Sequence, residues 1–309
     1  MESALYGTGG FFRGTAPAQH FRTSALASPL FAGAVASLLV RIDDGLDHPH
    51  RLDLVDVGAG RGELLLGVLA ALPAEVAARV SAVAVELAPR PSGLPPAIGW
   101  ATEVPTGING LLIATEWLDN IPVDIVELDS SALRPRYLVI GANGTEQLSD
   151  EPLDPVDAEW LARWWPLDGA PPGARAELGA PRAAAWAAAV AGVQRGVALA
   201  VDYGHFRDSR PPFGTLSAFR DGRQVVPVAD GSCDLTVSVA LDALAVPSPL
   251  LLQQRVALRL LGVHGGRPPI ALASTDPAGY VRALARAGAA AELTDPAGLG
   301  GHYWVMHWV

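Results

Sequence analysis

Three glycines at alternate positions behind an acidic residue form the stretch of this chain best suited to chemistry. In Leu54-Val55-Asp56-Val57-Gly58-Ala59-Gly60-Arg61-Gly62-Glu63-Leu64 an apolar run carries Asp56, the glycines follow, and Leu64, Leu65, Val68, Leu69 and Leu72 recur at helical spacing. The pattern predicts strand, tight turn and helix, with glycine where the backbone bends unusually or a ligand must approach the main chain. Dinucleotide sites favour G-x-G-x-x-G, with pyrophosphate on exposed N–H groups. Here the spacing is G-x-G-x-G, and Asp56 would repel phosphate but suit a cation. S-adenosylmethionine carries an ammonium, a sulfonium and no phosphate. Asp56, Gly58, Ala59, Gly60 and Gly62 are therefore expected to receive its methionine half. Glu86, closing the apolar run Val80–Val85, is expected to accept from its ribose hydroxyls. A nicotinamide dinucleotide, whose acidic ribose ligand would sit at a similar distance, stays open as the alternative.

Further candidates follow two other apolar runs. Glu116 and Asp119 come after the run ending at Thr115, and Asp202 and His205 come after Val197–Val201. Ligand crevices in open α/β sheets form just beyond such strand ends. Glu116 is assigned to cofactor contact, and Asp119, Asp202 and His205 to catalysis. Methyl transfer is an in-line displacement in which alignment does most of the work and a base takes the acceptor's proton. Clustered carboxylates predict a basic acceptor, with protein arginine first and a neutral hydroxyl metabolite second. Trp164-Trp165 and the tryptophans of 304–308 read as core or dimer surface, and Arg255 and Arg259 as a solvated face.

The elements that must position these residues alternate. Helix from Leu30 through Leu39, strand 52–57, helix 62–72, strand 80–86, a short strand near Ile98 and strand 110–115 are expected in turn. Val123–Leu128 and Pro135–Ile140 resemble a hairpin, Trp160–Trp165 a short helix, Ala183–Val193 a helix and Val197–Val201 a buried strand. A strand pair near 215–219 and 224–228, a helix over 248–261, and two strands, Ala290–Thr294 and Tyr303–Val309, complete the reading. This predicts an α/β, Rossmann-like, mainly parallel sheet with an antiparallel C-terminal edge strand. One domain over 1–309 is expected, with a lid or crossing segment at 1–33 and an insertion at 123–195 that shapes the substrate site.

Composition narrows the classes. The 309 residues are 50% hydrophobic and 17% charged, which suits a compact globular chain. A net charge of −10 disfavours nucleic acid and anionic membranes, both of which need a basic face. All 22 basic residues are arginine, so no lysine can serve as a P-loop, Schiff-base or general-base residue. The single cysteine, Cys233, excludes an intramolecular disulfide, and the scattered histidines, His48 and His50 among them, do not have metal-ligand spacing. No metal is expected. The N-terminus lacks a signal-peptide pattern and no apolar run is long enough to span a bilayer, so a cytoplasmic protein is predicted, with a homodimer among its expected states.

Further segments together resemble one family. Ala4-Leu5-Tyr6-Gly7 with Gly9-Gly10-Phe11-Phe12 is similar to the opening of the MidA-type S-adenosylmethionine-dependent methyltransferases, which include the mitochondrial complex I assembly methyltransferases. Phe21-Arg22-Thr23-Ser24 with Ser28-Pro29-Leu30-Phe31 resembles their G-D-F-x-T-S-P-E-x-S-x-x-F segment, and Thr115-Glu116-Trp117-Leu118-Asp119-Asn120-Ile121-Pro122-Val123 their N-E-x-x-D-A-x-P-V motif. Val201-Asp202-Tyr203-Gly204-His205, Gly214-Thr215-Leu216 and Cys233-Asp234-Leu235-Thr236 resemble the D-Y-G, G-T-L and D-x-T signatures, in order. The resemblance implies a seven-stranded class I methyltransferase fold whose last strand is antiparallel. It also implies S-adenosylmethionine as cofactor and methylation of a protein side chain, arginine favoured. Gln19-His20 stands where the family has Gly-Asp, and Ala25-Leu26 where it has Pro-Glu. A non-catalytic assembly protein on the same fold is the reading those departures favour.

Overall fold

The computed structural model describes residues 1–14, 23–141, 143–244, 246 and 249–309. They form two compact units. One comprises Arg22–Trp117, Ala189–Asp202 and Ser248–Val309; the other Met1–Phe21, Leu118–Ala188 and Tyr203–Pro247. The altered pair Gln19-His20, together with Phe21 and Arg22, lies outside the described residues.

The first unit is built on a seven-stranded sheet. Its strands are β1 (Leu52–Val57), β2 (Val80–Val85), β3 (Gly99–Ala101), β4 (Ile108–Thr115), β5 (Val193–Asp202), β6 (Leu250–Gln253) and β7 (Tyr303–Trp308). The order across the sheet is β6-β7-β5-β4-β1-β2-β3. β1 to β5 run parallel, while β7 runs antiparallel to both β5 and β6. The mainly parallel α/β sheet expected from the sequence is present. Its antiparallel C-terminal strand has β6 outside it. β1 is buried along its whole length, as a parallel strand covered on both faces must be. The order reverses between β1 and β4, which makes the carboxyl ends of these strands the natural ligand crevice.

Helix Pro29–Gly45 covers the sheet because Phe31, Val35, Leu38, Leu39 and Ile42 repeat on one face, and all five are buried. It starts where Ser28 accepts the Leu30 N–H at 3.1 Å, with Pro29 in the first turn. The helix packs on Glu63–Ala71, where a Cβ on Gly67 would lie only 2.7 Å from the Ala32 Cβ.

Two expectations are corrected in this unit. Residues 248–261 are not one helix: Leu250–Gln253 is β6, paired with β7, and only Gln254–Leu260 is helical. A short apolar run suits either state, and pairing with Tyr303–Met306 decides it. Ala290–Thr294 is not a strand but the end of helix Pro277–Thr294, whose Asp276 cap and alanine content extend the helix through it.

The second unit holds an antiparallel four-strand sheet, in the order Glu146–Leu148, Pro135–Ile140, Ile125–Leu128, Arg175–Glu177. The hairpin expected of Val123–Leu128 and Pro135–Ile140 is formed, with Val126 opposite Tyr137. Beside it are the three strands Arg223–Val225, Ser217–Arg220 and Asp234–Thr236, and a short parallel pair, Gly204–His205 with Val239–Ala240. Trp160, Trp165, Leu161, Val126 and Ala176 form its main apolar core. Helix Pro155–Trp164 begins earlier than the sequence suggested, at an Asp154 cap.

Candidate functional site

The glycine turn follows β1 directly. Gly58, Gly60 and Gly62 have φ of 71°, 58° and 85°, a region closed to most side chains. Packing adds a second reason at two of them. A Cβ on Gly58 would lie 2.9 Å from Trp117 Cδ1, and one on Gly62 would lie 2.8 Å from Leu94 Cδ1. At Gly60 the nearest atom would be Glu63 Oε2 at 3.7 Å, so the space there is open and a ligand can use it.

Every N–H of the turn already has an internal acceptor. Gly58 and Ala59 donate to the Val85 carbonyl, Gly62 to the Ala59 carbonyl, Arg61 to Glu63 Oε2, and Gly60 to Glu86 Oε2 at 3.0 Å. A pyrophosphate would meet the three carboxylates of Asp56, Glu63 and Glu86 here, with the N–H groups of Gly58 to Gly62 already engaged. Asp56 is 3% exposed, and burial, with the charges of Glu63 and Glu86, pushes its pKa up to about 8. Such a turn suits a ligand that brings positive charge, as S-adenosylmethionine does. The other Glu86 oxygen accepts from Leu87 N–H and Ala88 N–H. A carboxylate has about four acceptor positions, so Glu86 keeps little spare capacity for ribose hydroxyls while these bonds stand.

Glu116 and Asp202 end neighbouring strands. Thr115 and Val201 are in register, and the Glu116 N–H donates to the Val201 carbonyl at 2.7 Å. Glu116 has φ 50°, a strained value for its type of the kind that collects at functional positions. Its Oε1 accepts the Ser24 N–H at 2.8 Å, with His302 Nδ1 3.9 Å away, so this carboxylate holds the Thr23-Ser24 stretch in place. Asp202 is 1% exposed, opposite Tyr303.

Asp119 belongs to the second unit and sits in a polar centre of its own. The Tyr203 phenol donates to its Oδ2 at 2.6 Å, and Thr236 Oγ1 lies 2.5 Å from the phenol oxygen and 3.3 Å from the same carboxylate. Arg182, also buried, donates to the carbonyls of Asp119, Ile121, Val237 and Ser238. Burial raises the Asp119 pKa, against the opposing pull of Tyr203 and Arg182. Asp234, 5% exposed, is pushed up to about 7 by burial and by the Asp119 charge, and its Oδ1 has no hydrogen-bond partner among the described residues. His205 joins a different network, with Arg210, Trp165 and Glu177 around its ring.

The structure thus gathers Asp56, Gly58, Ala59, Gly60, Gly62 and Glu86 at one turn, sets Glu116 beside Asp202, and gives Asp119 and His205 separate partners. Reasoning from sequence noted the Tyr203 phenol beside Asp202 and His205 without assigning it a role, passed over Asp234 although it lies inside a quoted motif, and had no signal at all for Glu177 and Arg182. Asp43, Asp44 and His48 bring possible ligand atoms within 4.8 Å of one another. Arg79 already grips both Asp43 oxygens, at 2.7 and 2.6 Å, and holds that carboxyl down at about 2. No helix among the described residues is long and apolar enough to cross a membrane.

Two solved structures from Burkholderia thailandensis share the fold. One, crystallised with S-adenosyl-homocysteine bound, superposes with a TM-score of 0.79 at 24% identity over 100% of this chain and 86% of that one. The other, a native form, gives 0.75 at 24% identity over 100% and 85%. No curated protein matches the chain. Residues 34–248 match the family described as "Putative S-adenosyl-L-methionine-dependent methyltransferase", a span that includes the glycine turn, Glu116, Asp119 and Asp202. The MidA-type resemblance and the cofactor read from the glycine spacing agree with that match: the chain belongs to this family of S-adenosylmethionine-dependent methyltransferases.

Proposed function

We propose that this methyltransferase acts on a basic acceptor, with an arginine side chain of a partner protein as the first candidate and a cytoplasmic setting. The observation that carries the reading is the Asp119 centre. A buried carboxylate is held there by Tyr203 and Thr236, with a second buried carboxyl, Asp234, near enough to feel its charge. A buried acid whose charge raises the proton affinity of a second one attracts a cation strongly in a low-dielectric setting. A guanidinium meets a carboxylate with paired hydrogen bonds. The cofactor supplies an activated methyl group on sulfur, and the protein's share is to orient the nitrogen and take its proton. On this reading Asp119 clamps the acceptor, and Asp202, at the end of β5, is the second acid of the reaction. Asp56, the turn glycines, Glu86 and Glu116 serve the cofactor.

The test is methyl transfer from labelled S-adenosylmethionine to arginine-containing peptides and to cell extract, with the methylated atom located by mass spectrometry. Label on guanidinium nitrogen is expected. Asp119→Asn and Asp202→Asn should each lower turnover at least ~100-fold, the scale of a lost acid–base group, with S-adenosyl-homocysteine affinity nearly unchanged. Label on a hydroxyl or a carboxyl, or full turnover in both variants, removes the acidic-clamp reading.

A further inference from the structure

Gly204, Gly214 and Thr215 lie in motifs that the cofactor turn leaves unexplained, and all three lead to one acid. Glu177, 3% exposed at the end of strand Arg175–Glu177, accepts the N–H and the hydroxyl of Thr215 on Oε1. Gly214 must be glycine there: its φ is 72°, and a Cβ would lie 2.7 Å from that same oxygen. Thr215 Oγ1 accepts in turn from the Ser238 N–H at 2.9 Å. The other Glu177 oxygen has no partner among the described residues and stands 4.0 Å from His205 Nε2, which likewise has none.

The ring's proton can be placed from its other side. Arg210 Nη1 lies 2.7 Å from His205 Nδ1, and a guanidinium only donates, so Nδ1 is the acceptor. Burial and the Arg210 charge hold the imidazole neutral near pH 7, with its pKa down at about 4. The one ring proton is then on Nε2, facing the Glu177 carboxylate. Arg210 is itself fixed by Asp242 at 2.7 Å and by the Trp165 ring, 5.2 Å from its guanidinium carbon.

The two oxygens of Glu177 thus face, one by hydrogen bonds and the other across 4.0 Å, toward the two segments that carry the groups touching Asp119. One leads through Thr215 to Ser238, two residues past Thr236. The other leads through His205 to Tyr203, two residues before it. Gly204 lets this second arm lie close to its neighbour: a Cβ there would sit 2.2 Å from the Val239 carbonyl oxygen, and the Val239 N–H donates to the Tyr203 carbonyl at 3.0 Å.

We propose that Glu177 is a positioning residue for the acceptor-side acid Asp119, setting the Tyr203 phenol through His205 and the Thr236 hydroxyl through Thr215. The inference rests on the reading of Asp119 given above. Its test needs no acceptor, so failed arginine methylation and failed positioning are separate results.

Nitrogen-15 spectra of the imidazoles and carbon-13 spectra of the tyrosine ring Cζ atoms are the readouts, with His205→Asn and Tyr203→Phe assigning the two residues among 7 histidines and 5 tyrosines. The wild type should show a neutral His205 protonated on Nε2. Glu177→Gln keeps the shape but can turn an N–H₂ toward that Nε2–H, so the His205 protonation pattern should change and the Tyr203 Cζ resonance should move. Thr215→Val should move the Tyr203 resonance through the other arm. Affinity for S-adenosyl-homocysteine should stay within about twofold, well under the tenfold that 1.4 kcal/mol represents. A wild-type proton on Nδ1, or an unmoved Tyr203 resonance in folded Glu177→Gln, overturns the proposal.

Discussion

Gly60 is the residue at which shape and ligand are most closely tied. A valine there would have to adopt φ 58°, which strains a β-branched side chain, and would fill the open space beside Glu63. Gly60→Val should abolish S-adenosyl-homocysteine binding by calorimetry while far-ultraviolet circular dichroism stays native; unchanged affinity in a folded variant would contradict the site. The carboxyl pair gives a second residue-scale prediction. Because the Asp119 charge helps push Asp234 up to about 7, Asp119→Asn should lower the Asp234 pKa, read from its carboxyl carbon-13 titration. An unchanged midpoint would mean that burial alone sets it.

At the scale of elements, helix Pro29–Gly45 starts with a side-chain cap, the Leu30 N–H donating to Ser28 Oγ. Ser28→Ala removes that acceptor and should cost about 1 kcal/mol in urea unfolding, with the slope unchanged. A loss below a few tenths would show that the Pro29 start and the buried face suffice. Elsewhere a single buried side chain joins several elements. Gln254, at the start of its helix, donates to Ser24 Oγ at 3.0 Å and to the Leu293 carbonyl at 3.4 Å, and accepts from Trp304 Nε1 at 3.2 Å. Its polar amide is fully buried because each of its atoms finds a partner.

At the scale of the whole molecule, the buried titrating groups set opposed pH dependences. Asp56 at about 8 and Asp234 at about 7 hold protons in the folded state that the unfolded chain gives up near 3.8. Their contribution is fully present below pH 3.8 and is lost as the pH rises through 7 and 8. His205 and His302, held neutral with pKa values down at about 4, contribute stability above 6.5 that is lost as the pH falls toward 4. Ligand-free protein should therefore lose stability from neutral to mildly alkaline pH, and Asp56→Asn should flatten that limb. Urea unfolding from pH ~6 to ~8.5 reads it; an equal slope in wild type and variant would exclude Asp56 as its source.

The first-unit architecture was legible because its signals are local. Buried strands show in the sequence as apolar runs, unbroken at Val197–Val201 of β5, the turn demands glycine at positive φ, and the helix after it repeats its leucines at a fixed interval. The acidic residues at the ends of β1, β2, β4 and β5 were found for the same reason, since position at a strand end is a property of the sequence. The state of Leu250–Gln253 was not, because a short apolar run becomes a strand only when β7 supplies its hydrogen bonds. Nor could sequence join Asp119 to Tyr203 and Thr236, 84 and 117 residues away, or choose which nitrogen of His205 holds the proton. Those depend on side chains brought together from distant segments, where the strength of a carboxylate or an imidazole is set by its neighbours and by its burial.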